Sequence, residues 1–196
     1  EDWPQWRGPR GDGTSTEMNL PLTWSDTENV AWKTPVPGRG YSSPTIWGDR
    51  IFLTTCLEEQ QQHVTLCYNR LDGKLLWEHA LPSKLQPRIH NRNSHASSTV
   101  ATDGKHVFVT FLDHPRMIAC CYDLDGKLVW QQSPGEFHSV HGFGSSPLLY
   151  QDFLILNGDQ DHRQAFLVAL DKSTGAEKWR TERSGTRSYT PPVIID

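Results

Sequence analysis

One short phrase recurs along the chain and restricts what it can fold into. It reads Cys67-Tyr-Asn-Arg-Leu-Asp-Gly-Lys-Leu-Leu-Trp77, then Cys121-Tyr-Asp-Leu-Asp-Gly-Lys-Leu-Val-Trp130, then Ala169-Leu-Asp-Lys-Ser-Thr-Gly-Ala-Glu-Lys-Trp179. Each copy has a small residue, a polar residue two places on, a glycine (Gly73, Gly126, Gly175) and a Trp four residues after it. Trp32, in Glu28-Asn-Val-Ala-Trp32-Lys, has the flanks but lacks the turn. Trp32, Trp77, Trp130 and Trp179 are separated by 45, 53 and 49 residues. Self-similarity at such a period marks a repeat architecture, in which each unit buries its faces against its neighbours.

The units read as strands and tight turns. The first opens at Tyr41–Trp47, turns at Gly48-Asp49, runs Ile51–Thr55 and Val64–Tyr68, then turns at Asp72-Gly73 into Lys74–Glu78. The second runs Ala96–Thr102, Val107–Phe111, Met117–Tyr122 and Lys127–Gln131. The third runs Gly144–Tyr150, Phe153–Leu156, Phe166–Leu170 and Ala176–Thr181. Asp-Gly between apolar runs predicts a two-residue hairpin turn, because that turn needs φ > 0. Four strands per repeat predict an all-β fold, a β-propeller of four-stranded antiparallel blades. Residues 1–196 then form one partial ring: an irregular segment 1–27, an orphan outer strand 28–34, blades over 39–81, 93–133 and 141–183, and the start of a further blade at 187–196. Three full blades with flanking strands of two more imply a ring larger than this chain.

Bulk composition agrees with many short strands. Hydrophobic residues are 36% of the chain, so its eight Trp carry much of the packing. The formal net charge is −4 and no basic run or stripe stands out, which argues against a nucleic-acid partner. No apolar run is long enough for a membrane-spanning helix. The cysteines, Cys56, Cys67, Cys120 and Cys121, lack metal-ligand spacing. Cys56 and Cys67 could face each other across a hairpin as a disulfide, or be two small buried strand residues. Arg10-Gly11-Asp12 spells an adhesion tripeptide that a Gly-rich turn explains as well.

The phrase Ala-x-Asp-x-x-Thr-Gly-x-x-x-Trp, complete at Ala169–Trp179, resembles the tryptophan-docking repeat of PQQ-like (quinoprotein-type) β-propellers of bacteria. The Ser-Ser-Pro openings at Ser42–Pro44 and Ser145–Pro147, and Trp3-Pro-Gln-Trp-Arg-Gly-Pro9, resemble the same family. The resemblance implies an extracytoplasmic (periplasmic or secreted) protein in one of two roles. One is a non-catalytic scaffold for a protein partner or a small, glycan-like ligand. The other is a PQQ- and calcium-dependent oxidoreductase of the alcohol or sugar dehydrogenase type. Cys120-Cys121 invites comparison with the vicinal disulfide of the dehydrogenases. Both, however, sit mid-strand, where successive side chains point to opposite faces. Trp32, Trp77, Trp130 and Trp179, with Gly73, Gly126 and Gly175, are expected to dock blade on blade.

Candidate ligand residues lie in the loops before each first strand. Aligned on the Ser/Thr of the opening, these read Gly38–Tyr41, Asn93–Ala96, His141–Gly144 and Gly185–Ser188. In a propeller they converge on one face, so Arg39, Tyr41, His95, His138, His141, Phe143, Arg187 and Tyr189 are expected to ring a funnel. Three readings stand for that ring: hydrogen bonds to loop backbone, an anionic or glycan-like ligand site, or a metal held by His95 and His141. Asn157–His162 is acidic and turn-like, but lacks the glutamate of a calcium loop.

Overall fold

In the computed structural model, which describes all residues but 162, 163, 186 and 196, the chain folds into three antiparallel sheets of four strands. The first comprises β1 (Thr45–Trp47), β2 (Arg50–Leu57), β3 (Gln62–Asn69) and β4 (Leu75–Pro82). The second comprises β5 (Ala101–Thr102), β6 (His106–Asp113), β7 (Arg116–Asp123) and β8 (Leu128–Glu136). The third comprises β9 (Leu148–Tyr150), β10 (Phe153–Gly158), β11 (Ala165–Asp171) and β12 (Glu177–Arg183). Each sheet is a meander in sequence order. The chain is therefore an all-β, partial propeller of three blades that does not close into a ring.

Burial on both faces of the middle strands shows why the blades stack. In β7, six consecutive residues from Met117 to Tyr122 are buried. Cys120, Tyr122 and Val107 pack with Phe52 and Cys67 between the first and second blades. Cys121, Ala119 and Phe108 pack with Leu154, Val168 and Leu170 between the second and third. Adjacent cysteines thus serve two different cores, as the alternation of a strand requires.

The recurring phrase maps onto one device, used three times. Its small residue faces its own Trp across the ladder, as Cys67 with Trp77, Cys121 with Trp130 and Ala169 with Trp179. A larger side chain there would compete for the space of the ring. Its polar residue accepts turn amides: Asn69 Oδ1 from Leu71, Asp123 Oδ1 from Asp125 and Lys127, Asp171 Oδ1 from Ser173 and Thr174. Its glycine has φ of +70°, +86° and +74° at Gly73, Gly126 and Gly175. A Cβ there would lie within 2.9 Å of the ring of Trp32, Trp77 and Trp130 respectively. The three indoles also donate Nε1–H to the same turns: Trp32 to Arg70 O (2.9 Å), Trp77 to Leu124 O (2.9 Å) and Trp130 to Lys172 O (3.0 Å). Each Trp therefore seats on the turn of the blade that follows it. Trp179, last in the series, is 37% exposed.

Three expectations need correction. Residues 28–34 form no strand, because no strand of the described residues lies beside them; the docking of Trp32 is retained without a ladder. Residues 187–195 likewise join no ladder, and Asp196 lies outside the described residues. The Asp72-Gly73 turn is not a two-residue hairpin. Asn69 N bonds Lys74 O and Gly73 N bonds Asn69 O, so four residues form the loop and only Gly73 has a positive φ.

The irregular N-terminus is tied to the inner strands of all three blades. Trp3 exchanges both backbone hydrogen bonds with Ile46, each 2.9 Å. Thr102 N donates to Pro4 O, and Leu149 N donates to Gln5 Oε1. Gly8, at φ +74°, packs under the Trp3 ring.

Replacing Gly126 with Ala should lower the denaturant midpoint, with a loss of about 2–3 kcal/mol, because it combines left-handed strain with displacement of the Trp77 ring. The same change at Gly104, which packs against Trp47 rather than a docking Trp, provides the comparison.

Candidate functional site

Strand direction places the loops before β1, β5 and β9 on one face, together with the β2–β3, β6–β7 and β10–β11 hairpins. The openings of the inner strands bond the next blade. Thr54 Oγ1 donates to Ser98 O (3.0 Å), Thr110 Oγ1 to Ser145 O (3.4 Å), and Asn157 Nδ2 to Thr190 O (3.1 Å). Ser43 N donates to Thr99 Oγ1, and Thr99 N to Ser146 Oγ. These bonds align Ser42, Ser98, Ser145 and Thr190. Tyr41, Ser97, Gly144 and Tyr189 are then equivalent, one residue off the sequence alignment in the second and fourth loops.

The expected ring is only partly assembled. His141 Nδ1 lies 2.8 Å from Tyr189 Oη, which lies 2.8 Å from Ser139 Oγ. Arg39 donates to Tyr41 Oη (2.9 Å) and to Asn93 O (3.1 Å), with its guanidinium carbon 5.3 Å from the Tyr41 ring centre. His138 Nε2 lies 3.2 Å from Glu136 Oε2, with its ring edge-on to His114. Arg187 donates to Asp161 Oδ1 at 3.0 Å. His95 is half-buried beside His63 and shares no cleft with His141. Phe143 does not reach the face. It is 6% exposed and packs edge-on against Phe137 in the core between the second and third blades, because its strand opening turns it inward.

Two shallow clefts lie on either side of the Ser139–His141 loop. One, of about 390 Å³, is lined by His90, Arg92, Asn93, Ser97, His141, Gly144 and Tyr189. The other, of about 650 Å³, is lined by Gln86, Pro87, Arg88, His114, His138, Ser139, Val140 and Asp161. The connection from Ser83 to His95 supplies residues to both, and sequence reading passed over it. It carries Lys84, Arg88, His90, Arg92 and His95 with no acidic residue. The run is legible in the sequence, but most of it lies upstream of the loops that align at the strand openings.

The metal and cofactor readings find no matching donor set. No group of three or more His, Cys, Asp or Glu could hold a metal among the described residues. Calcium takes six to eight oxygen ligands. Among the described residues the clefts have one carboxylate on their walls, Asp161, which is bonded to Arg187 and the Val140 amide. The residues present therefore do not fit a calcium–quinone pair. In the Asn157–His162 stretch, Asn157 is committed to Asp159 N and Thr190 O, and Asp159 pairs with Arg183 at 3.2 Å. His162 lies outside the described residues.

The four cysteines are free and buried. Cys56 faces His63 and Cys67 faces Phe52 in the ladder, so the hairpin register separates the pair that could have been bridged. Burial pushes all four thiols up to about 12. Thiolate is the reactive form, so native protein should react slowly with a thiol reagent. Unfolding should release four fast equivalents, counted by absorbance.

His63 is fully buried, stacked on Phe111 at 4.7 Å between ring centres. Neither ring nitrogen has a hydrogen-bond partner, and the neighbouring His95 backbone makes no bond of normal geometry to it. Burial, aided by His95, pushes its pKa down from 6.5 to about 4. Between those values the unfolded state binds more protons, so stability is full above pH 6.5 and is lost as pH falls toward 4. The loss should be on the order of 3 kcal/mol. His63→Leu should flatten that slope in melts across the window.

A family model described as outer membrane protein assembly factor BamB matches residues 60–193. No curated protein sequence matches the chain. Among solved structures, quinohemoprotein alcohol dehydrogenase ADHIIG from Pseudomonas putida HK5 aligns with a TM-score of 0.58 at 18% identity, over 79% of this chain and 22% of that one. A europium-containing methanol dehydrogenase aligns at 0.55 and 16%, over 75% of this chain and 25% of its own. The quinohemoprotein alcohol dehydrogenase of Comamonas testosteroni aligns at 0.52 and 19%, over 74% and 21%. The chain thus spans about a quarter or less of those relatives, and at such identities the likeness is one of fold. Three Trp-docked, four-stranded blades and the match over most of its length show that the chain belongs to the PQQ-like β-propeller family described as outer membrane protein assembly factor BamB.

Proposed function

We propose that this propeller segment is part of an extracytoplasmic, non-catalytic scaffold that docks a protein or small ligand on its loop-ringed face. One observation carries the reading. The face presents exposed side chains held in place by a network that joins successive blades: His141 to Tyr189, Tyr189 to Ser139, and Asn93 to the carbonyls of His141 and Phe143. Val140 stands 61% exposed between the two clefts. Polar groups held by a rigid frame, with an apolar knob between them, suit recognition more than covalent chemistry. The family description, which refers to outer-membrane protein assembly, supports both the scaffold role and an extracytoplasmic location.

The complete protein, incubated with calcium and PQQ, should show no stoichiometric quinone uptake by absorbance and no dye reduction with alcohols. Uptake with activity would overturn the scaffold reading. A photo-crosslinker at Val140 should trap a partner polypeptide, whereas one at Leu71, on the opposite face, should not. Equal trapping at both would remove the face assignment.

A further inference from the structure

We infer that the partner segment recognised at this face is acidic, a carboxylate-bearing stretch of polypeptide laid across the two clefts. The inference rests on the scaffold reading above and specifies its ligand chemistry.

The chain is net negative, yet the Ser83–His95 connection has two Arg, one Lys and two His without a single Asp or Glu. Among the described residues no ion pair reaches Lys84, Arg88 or Arg92, although Arg39 and Arg92 sit on the same face as the acidic β2–β3 hairpin. Asp161, on the wall of the larger cleft, is matched by Arg187, and Glu136 lies within hydrogen-bond reach of His138. The exposed cations Arg88 and Arg92 are thus left without a protein counter-charge, one in each cleft.

Hydrogen-bond polarity points the same way. His90 Nδ1 lies 3.2 Å from the backbone N–H of Arg92, which can only donate. The neutral imidazole must therefore carry its proton on Nε2, leaving that atom as a donor. Ser139 Oγ accepts the His141 amide, and its hydroxyl can donate to Tyr189, whose hydroxyl then donates to His141 Nδ1. That arrangement leaves His141 Nε2–H as a second donor. The two rings stand 5.2 Å apart, centre to centre. With Arg92, the smaller cleft offers several donors. Asn93 Oδ1 is already occupied by Ser94 N and Ser97 Oγ. The Arg92 guanidinium and the His90 Nε2–H, both on this wall, suit a ligand that only accepts, as a carboxylate does.

The second cleft favours a chain over a small anion. Arg88 and Arg92 line different clefts, with Val140 on the wall of the larger one, so a peptide laid over both clefts can meet both cations. The apolar side chain of Val140, exposed between two cationic sites, gives such a peptide an apolar contact midway.

The test uses the complete protein and three probes: a glutamate-rich peptide with an apolar residue at its centre, the same peptide with glutamine for glutamate, and inorganic phosphate. Calorimetry should show binding of the glutamate peptide that weakens with added salt, and no binding of the glutamine peptide. Arg88→Glu and Arg92→Glu should each weaken it about tenfold or more. Both sites are exposed, and unchanged melting curves confirm the fold. The double reversal should gain affinity for a lysine-rich peptide. Equal binding of the glutamine peptide, indifference to both reversals, or phosphate binding alone would overturn the inference. If the reversals have no effect while the Val140 crosslink persists, the acidic-ligand inference fails and the scaffold reading stands.

Discussion

Everything in this molecule depends on an indole seated on a glycine. Trp77 and Trp130 each span two blades and Trp32 seats on the first, each donating its N–H to a turn carbonyl and pressing its face on a position where a Cβ has no room. The contact couples packing to conformation. The glycine is needed for the left-handed turn and, separately, for the ring. A flat aromatic buried with its polar atom satisfied contributes both area and direction. Because the same contact recurs at Trp32, Trp77 and Trp130, the angle between blades is set locally, one junction at a time.

That frame explains the face above it. Rigid blades bring the strand openings together, and Thr54 of β2, Thr110 of β6 and Asn157 of β10 bond the backbone of the next opening. The loops are therefore held by the scaffold at their ends and present their middles to solvent. At the opposite end the N-terminal segment ties the inner strands together through Trp3, Pro4 and Gln5. Segments with little regular structure thus act as cross-links between regular ones.

The fold was largely legible because its determinants are periodic. Trp spacing, the turn glycines and the apolar strands are local signals that three blades repeat. The candidate site was less legible because its determinants are not. Phe143 reads as a loop aromatic, yet its position in the strand opening turns it into the core. Arg39 bonds Tyr41 and the Asn93 carbonyl, away from the His141 cleft. Arg88, His90 and Arg92 lie in a β4–β5 connection longer than its β8–β9 counterpart, so alignment by repeat leaves them unmatched. The one-residue offset between loops appears only once cross-blade hydrogen bonds fix the register.

The amino-acid order alone determined the blade, its strand count and the recurring Trp and glycine positions, because those signals are local and repeat; that Trp32, Trp77 and Trp130 each seat on a turn 38 to 47 residues further on is tertiary. The order also determined that Cys120 and Cys121 face opposite ways, since strand alternation decides that without a partner. Tertiary structure decided which His meets which Tyr, where the unpaired Arg side chains stand, and that Cys56 opposes His63 rather than Cys67. Those outcomes rest on register and on the angle between blades. A shift of one residue in either moves a side chain to another face or another cleft.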